Sequence, residues 1–136
     1  MEQKKTLIHV TRMPIRWGDM DAYGHVNNTV YFRYMEQARV EWIEALNVKV
    51  RPGGEGPVII NAACTFFVPM TYPGEVEVRT FVGTPGRSSV DTYVEMRLLG
   101  DETLYAQGSA KVVWMDTQTG KSVPIPAHVR NVIEAE

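Results

Sequence analysis

The chain has little of the residues that build disulfide frameworks and metal centres. Among its 136 residues there are one cysteine, Cys64, and three histidines. A single cysteine excludes an intramolecular disulfide and a zinc site made of several thiolates. The apolar sequence around Cys64 is typical of a buried strand, so we expect a packed and unreactive thiol.

The chain also lacks a strong net charge and a long apolar segment. Its formal net charge is −2, whereas proteins that bind duplex nucleic acid usually carry a basic field. No stretch approaches the roughly 18 apolar residues that cross a bilayer, and the N-terminal residues do not form a signal peptide. We therefore expect a cytoplasmic protein without a membrane or nucleic-acid partner. The length and the 44% hydrophobic content predict one globular domain over residues 1–136.

The hydrophobic pattern predicts one long helix between a first strand and a series of later strands. Residues 6–17 are typical of an irregular strand, and residues 29–46 carry apolar side chains at helical spacing. Farther along, apolar residues alternate with polar ones, a pattern that predicts four more strands. These four segments are residues 58–66, 76–82, 90–98 and 104–114. Residues 117–136 are predicted to be a turn and a polar tail.

A single apolar helix must bury its apolar stripe against another element. The four later strands each offer one apolar face, and in the first of them the residues predicted to share that face are Val58, Ile60, Ala62, Cys64 and Phe66. The economical solution is an α+β fold in which a five-stranded antiparallel sheet wraps around the long helix.

The densest cluster of functional groups lies directly before the predicted helix. It comprises Asp19, Asp21, His25, Asn27 and Asn28. The start of a helix presents unpaired N–H groups and a partial positive charge. Such a position stabilises an ionised carboxylate and a developing oxyanion, so this loop is a candidate site for acid–base or nucleophilic chemistry on an acyl group.

Other uses of this loop are open at this point. A calcium loop is disfavoured because Tyr23 replaces an oxygen ligand and Val30 occupies the position of the bidentate glutamate. A transition-metal site would have to use Asp19, Asp21 and His25, whose spacing is not that of a known ligand set. The loop is also compatible with a turn that only caps the helix.

The sequence from Arg16 to Arg39 contains the pattern D-x-D-x-x-G-H-V-N-N-x-x-Y-x-x-Y. This pattern resembles the hotdog-fold acyl-CoA thioesterases of the 4-hydroxybenzoyl-CoA thioesterase type. It is also similar to the D-x-D and H-V-N-N segment of plant acyl-carrier-protein thioesterases. The order of predicted elements extends the resemblance over nearly the whole chain. The resemblance implies a hotdog fold and hydrolysis of an acyl-CoA thioester to a carboxylic acid and CoA, without a metal or another cofactor.

The resemblance also implies roles for individual residues. The catalytic aspartate of these enzymes corresponds to Asp21, and the backbone N–H that polarises the thioester carbonyl corresponds to Asn28. The histidine that takes part in the plant enzymes corresponds to His25. The plant enzymes have an asparagine where this chain has Tyr23, so their arrangement of carboxylate, amide and imidazole is incomplete here.

Substrate and partner chains are further implications of the resemblance. Relatives place basic residues against the nucleotide end of CoA after a hairpin turn, which corresponds to Arg87 and Ser88; a guanidinium and a hydroxyl can both bind phosphate. Relatives also pair two sheets edge to edge, so we expect a homodimer or a tetramer made of two dimers. Two alternatives to hydrolysis are a non-catalytic acyl-CoA-binding module and a hotdog dehydratase or hydratase.

Overall fold

The chain folds as a strand, a long helix and then a run of antiparallel strands. The computed structural model describes residues 5–48 and 52–134. Its elements are β1 (Thr6–Pro14), a turn of 3-10 helix (Trp17–Asp19), α1 (Asn28–Ala45), β2 (Glu55–Phe66), β3 (Glu75–Val82), β4 (Ser89–Leu98), β5 (Ala106–Asp116), β6 (Lys121–Ser122) and α2 (Ala127–Glu134). The predicted helix and the predicted strands are therefore confirmed, although the first strand ends at Pro14 rather than at residue 17.

The strands form one antiparallel sheet in the order β1-β3-β4-β5-β2, and the short β6 pairs with β5. One long helix lies against one face of this sheet, as the α+β prediction required. Among residues 5–48 and 52–134, β2 is paired on one side only, so the other edge of this long strand is unpaired there.

The helix α1 buries its apolar stripe in two clusters that follow each other along its length. Tyr31, Tyr34, Met35 and Ala38 pack in the first cluster, and Trp42 belongs to the second. The helix lies very close to β5. A Cβ atom added to Gly108 would lie 2.8 Å from both Sδ and Cε of Met35, so glycine at this position permits the close approach.

The predicted polar tail is wrong. Residues 121–122 extend the sheet, and α2 is a helix whose Val129 and Ile133 are buried in the second cluster, with Val129 0% exposed. Ile125, Val129 and Ile133 are four residues apart, which is helical spacing. The prolines at 124 and 126 precede the helix rather than interrupt it.

The predicted common face of β2 is also wrong at Val58 and Ile60. The register of β2 against β5 shifts between Ile59 and Asn61, which makes Ile60 the extra residue of a β-bulge. Ile59, not Val58, packs against the core, and Ile60 is 55% exposed. The bulge moves the alternation by one residue, which a strictly periodic prediction cannot include.

Candidate active site

Asp19 anchors the loop that precedes α1. Its side chain is buried, and its Oδ2 accepts hydrogen bonds from the Tyr34 hydroxyl at 2.8 Å and from the backbone N–H of Arg16 at 3.0 Å. Its backbone carbonyl accepts the N–H of Asn27 at 3.0 Å. Burial, followed by the bond to Asp19, raises the pKa of Tyr34, so that hydroxyl remains a donor. Asp19 thereby ties both ends of the loop to the helix.

The carboxylate of Asp21 lies on the exposed side of the same loop. Its Oδ1 accepts the backbone N–H of Tyr23 at 2.9 Å, and its Oδ2 accepts the side-chain amide of Asn27 at 3.1 Å. The backbone between them turns at Gly24, whose φ of +76° is costly for residues with a side chain. Each carboxylate oxygen keeps lone pairs free for a water molecule or a substrate.

The start of α1 presents a polarised backbone N–H. Asn27 is the N-cap, and its Oδ1 accepts both the backbone N–H and the hydroxyl of Thr29, at 3.0 and 2.6 Å. Asn28 is the first helical residue, and its N–H has no acceptor within residues 5–48 and 52–134. This N–H is therefore free to donate to a bound group at the positive end of the helix dipole.

These groups meet in one open cleft of about 440 Å³. Its polar side is formed by Asp21, His25 and Asn28, the three residues that the sequence predicts to be catalytic. Its apolar side is formed by Tyr31 and by residues 66–69, which start at the last residue of β2. The rings of Tyr31 and Phe66 meet edge to face, with centroids 4.8 Å apart. The arrangement places a carboxylate, an imidazole and a free N–H beside an apolar wall.

The apolar wall is the part of the cleft that the sequence analysis missed. Phe66, Phe67 and Val68 are exposed although they are large and apolar. The sequence signal for this wall is a run of three apolar residues that continues past the end of a strand. Such a run usually stops where the strand leaves the core, so its continuation indicates an exposed apolar surface with a binding role. The wall joins the loop through a hydrogen bond from the N–H of Val26 to the carbonyl of Met70, at 2.8 Å.

Arg87 and Ser88 do not join this cleft. They lie between β3 and β4, beside the second core cluster, where the carbonyl of Ser88 accepts the N–H of Trp114 at 2.8 Å. This end of the molecule adjoins the C-terminal end of α1, whose 18 residues span about 27 Å. The carbonyl of Arg87 is held by the N–H of Ile125 and by Arg130 of α2. A single chain therefore separates its candidate phosphate-binding residues from its candidate catalytic residues.

The described part of the chain offers neither a metal centre nor a membrane-spanning helix. No group of three or more histidine, cysteine, aspartate or glutamate side chains there is arranged to hold a metal ion. The carboxylate of Asp19 points to Tyr34, whereas that of Asp21 lies on the exposed side. No helix in the same residues is long and apolar enough to cross a membrane.

Comparison with known proteins assigns the family. Residues 15–133 match the family model of the thioesterase-like superfamily, which covers most of the chain. The chain belongs to the thioesterase-like superfamily. The predicted resemblance to hotdog-fold thioesterases is confirmed at this level, and so is the hotdog fold. Superfamily membership also assigns acyl-thioester hydrolysis as the general activity.

Individual relatives support the same assignment. The solved structure of the PA2801 protein of Pseudomonas aeruginosa, a candidate thioesterase, is 40% identical, with a TM-score of 0.91 over 94% of this chain and 99% of that chain. The gentisyl-coenzyme A thioesterase BH1999 is 25% identical, with a TM-score of 0.81 over 92% of this chain and 99% of that chain. The acyl-acyl carrier protein thioesterase ATL2 of Arabidopsis thaliana is 27% identical over 130 residues, which are 90% of this chain and 66% of that protein.

Proposed function

We propose that this thioesterase-family member hydrolyses acyl-CoA thioesters to a carboxylic acid and free CoA in the cleft beside α1. The observation that carries the proposal is the convergence of the Asp21 carboxylate and the unpaired Asn28 N–H on one cleft with an apolar wall. The apolar wall suits an acyl group, and the two polar groups suit the thioester carbonyl. A module that only binds acyl-CoA has no need for an exposed carboxylate beside that carbonyl.

The chemistry follows from the two polar groups. The thioester carbonyl oxygen accepts the N–H of Asn28, and the helix dipole adds to the stabilisation of the oxyanion that forms on attack. In one route, an oxygen of Asp21 attacks the carbonyl carbon, the C–S bond breaks, and the CoA thiolate leaves and is protonated by water. Water then hydrolyses the acyl anhydride on Asp21. In the other route, Asp21 takes a proton from the water that attacks the same carbon, and the C–S bond then breaks and releases the CoA thiolate, which is protonated by water.

The test of the activity is the release of free thiol from a panel of acyl-CoAs, followed with a thiol reagent. The proposal expects thiol release that is linear in enzyme concentration, with the matching carboxylic acid as the second product. A binding module would retain intact acyl-CoA, and a dehydratase or hydratase would change the acyl group without releasing thiol. Either of these results would replace the proposed function.

We assign His25 a substrate-contacting role. Its side chain lines the cleft and makes no hydrogen bond to any other residue in the described ranges. A residue that only braced the loop would have such a bond. His25→Ala is therefore expected to lower turnover and to leave the melting temperature nearly unchanged. If the melting temperature of His25→Ala falls in parallel with its activity, and His25→Gln restores both, then His25 only braces the loop and has no catalytic role.

The working unit that we propose is a homodimer, or a tetramer of two such dimers. The free edge of β2 exposes Ile60, Ala62 and Ala63, and a long unpaired apolar edge requires a cover. Within one chain, Arg87 and Ser88 lie far from the cleft. In a dimer, Arg87 and Ser88 of one chain can bind the CoA phosphates of a substrate held in the cleft of the other chain.

Two measurements test this arrangement. At the protein concentrations of the activity assay, sedimentation velocity should detect a dimer or a tetramer and no monomer. Arg87→Ala should raise KM for an acyl-CoA without changing KM for the same acyl group on pantetheine, which lacks the nucleotide. Lys111→Ala is a matched control, because Lys111 is an exposed cation like Arg87 but lies on β5. This variant should leave both KM values unchanged. A fully active monomer would contradict the shared site while leaving thioester hydrolysis intact.

A further inference from the structure

Asn27 connects the two reacting groups of the cleft through one residue. Its side-chain amide donates to Oδ2 of Asp21 at 3.1 Å. Its peptide bond with Asn28 carries the N–H that the proposed function assigns to the thioester carbonyl. The position of the Asp21 carboxylate relative to that N–H therefore depends on a single side chain, which lies half-buried at the N-cap of α1.

Thr29 fixes the orientation of this amide. Oδ1 of Asn27 accepts the backbone N–H of Thr29 at 3.0 Å and the Thr29 hydroxyl at 2.6 Å. An amide oxygen accepts hydrogen bonds and an amide nitrogen donates them. Because both donors of Thr29 lie on the oxygen, the nitrogen faces Asp21. The backbone N–H of Asn27 also donates to the carbonyl of Asp19 at 3.0 Å, so the main chain of Asn27 is held as well.

Capping of the helix does not account for the amide nitrogen of Asn27. A cap needs only an oxygen that accepts the first N–H groups, and aspartate supplies one as well as asparagine does. Aspartate would also gain from the positive end of the helix dipole. Its ionised carboxylate, however, has no donor for Asp21 and would repel it. The donor of Asn27 is therefore not needed for the cap, and it is bonded to the carboxylate that the proposed function places at the thioester.

The other oxygen of Asp21 is held by the loop. Its Oδ1 accepts the backbone N–H of Tyr23 at 2.9 Å. The two hydrogen bonds arrive on different oxygens, so the carboxylate cannot rotate without breaking one of them. The bond from Tyr23 belongs to the exposed turn, whereas the bond from Asn27 ties the carboxylate to the helix that carries the oxyanion donor. A displacement of about 1 Å between reacting groups can lower a rate about 10²-fold.

Building on the proposed function, we propose that Asn27 and Thr29 are positioning residues for thioester hydrolysis. Asn27 holds the carboxylate of Asp21 at a fixed place relative to the N–H of Asn28. Thr29 keeps the amide of Asn27 turned toward that carboxylate. The hydrogen bonds that begin α1 thus serve the reaction as well as the helix, and neither side chain has to touch the substrate.

Asn27→Asp removes the donor and keeps the cap. The new carboxylate can still accept the N–H and the hydroxyl of Thr29, so the melting temperature should stay the same or rise. We expect kcat to fall about 10–100-fold and KM to change by less than about twofold. The loss of kcat should shrink between about pH 8 and about pH 5, because two neighbouring carboxylates then share a proton and the protonated one donates again. Thiol release followed with a pyridyl disulfide measures both constants over this pH range.

Thr29→Val tests whether the hydroxyl fixes the amide. Valine keeps the branched shape and has a similar helix propensity, and kcat should fall about two- to tenfold. Thr29→Ser, which restores the hydroxyl, should restore kcat. Thr117→Val is the matched control, because the Thr117 hydroxyl also donates at 2.6 Å, to the carbonyl of Gly54 in an exposed turn. This control should keep the wild-type kcat.

The inference is overturned if Asn27→Asp keeps the wild-type kcat, if its melting temperature falls in parallel with its activity, or if its loss of kcat is the same at every pH. It is also overturned if Thr29→Val and Thr117→Val have equal kcat. These outcomes leave the proposed function standing, because the wild type still releases thiol. A wild type that releases no thiol from any acyl-CoA overturns the proposed function and this inference together.

Discussion

The anchoring of the catalytic loop predicts a measurable cost for removing one hydroxyl. Tyr34→Phe deletes the 2.8 Å hydrogen bond to the buried carboxylate of Asp19 and leaves the ring in place. A hydrogen bond to a charged group contributes about 1.5–3 kcal/mol. Because Asp19 keeps the N–H of Arg16 at 3.0 Å, we expect a loss of about 2 kcal/mol in the free energy of unfolding. In a domain of this size, this loss corresponds to a fall of about 5–10 °C in melting temperature.

Denaturant unfolding and thermal unfolding measure this loss, and thiol release measures its effect on the site. Tyr105→Phe is the matched control, because the Tyr105 hydroxyl also donates to an aspartate, Asp101, at 2.7 Å, but on a surface turn. That variant should lose much less stability and no activity. Tyr34→Phe should lose activity as well, since Asp19 also holds the backbone of Asn27. If Tyr34→Phe and Tyr105→Phe have equal stability, the anchoring role of Asp19 is wrong.

Three further variants test the packing, the helix cap and the charges of the sheet. Gly108→Ala places a Cβ 2.8 Å from the end of the Met35 side chain and 3.0 Å from the backbone carbonyl oxygen of Ala63, so the free energy of unfolding should fall by about 1–3 kcal/mol. Asn27→Ala removes the cap of α1 and the amide that holds Asp21; it should cost about 1 kcal/mol and lower kcat. Glu77 accepts hydrogen bonds from two arginines, which lower its pKa from 4.5. The ionised Glu77 therefore stabilises the fold at pH values above 4.5. The difference in free energy of unfolding between the wild type and Glu77→Gln should shrink as the pH falls below about 4.

The parts of the fold that the sequence predicts are those that short-range patterns determine. The helix start follows from Asn27, whose side chain caps α1 as its residue type suggests. The loop chemistry is readable because Asp21, His25 and Asn28 lie within eight residues, so a turn suffices to bring them together. The alternation of β3 and β4 is regular, and the strands follow it.

The parts that the sequence does not reveal depend on distant neighbours. The bulge at Ile60 is defined only by the register of β2 against β5. The burial of α2 depends on a cluster that includes Trp42 and Trp114, which are far from it along the chain. The small space lined by Arg39, Trp42 and Thr80 depends on how α1 packs against β3, which is distant from it along the chain.

The most direct test of the central claim is the turnover of Asp21→Asn. Asparagine keeps the size of the side chain and removes its charge and basicity, so the loop should stay folded and the substrate should still bind. We expect thiol release to fall by about 10²–10⁴ relative to wild type. Asp91→Asn, which changes an exposed carboxylate of the sheet, should leave turnover unchanged. A folded Asp21→Asn protein with wild-type turnover would contradict the account.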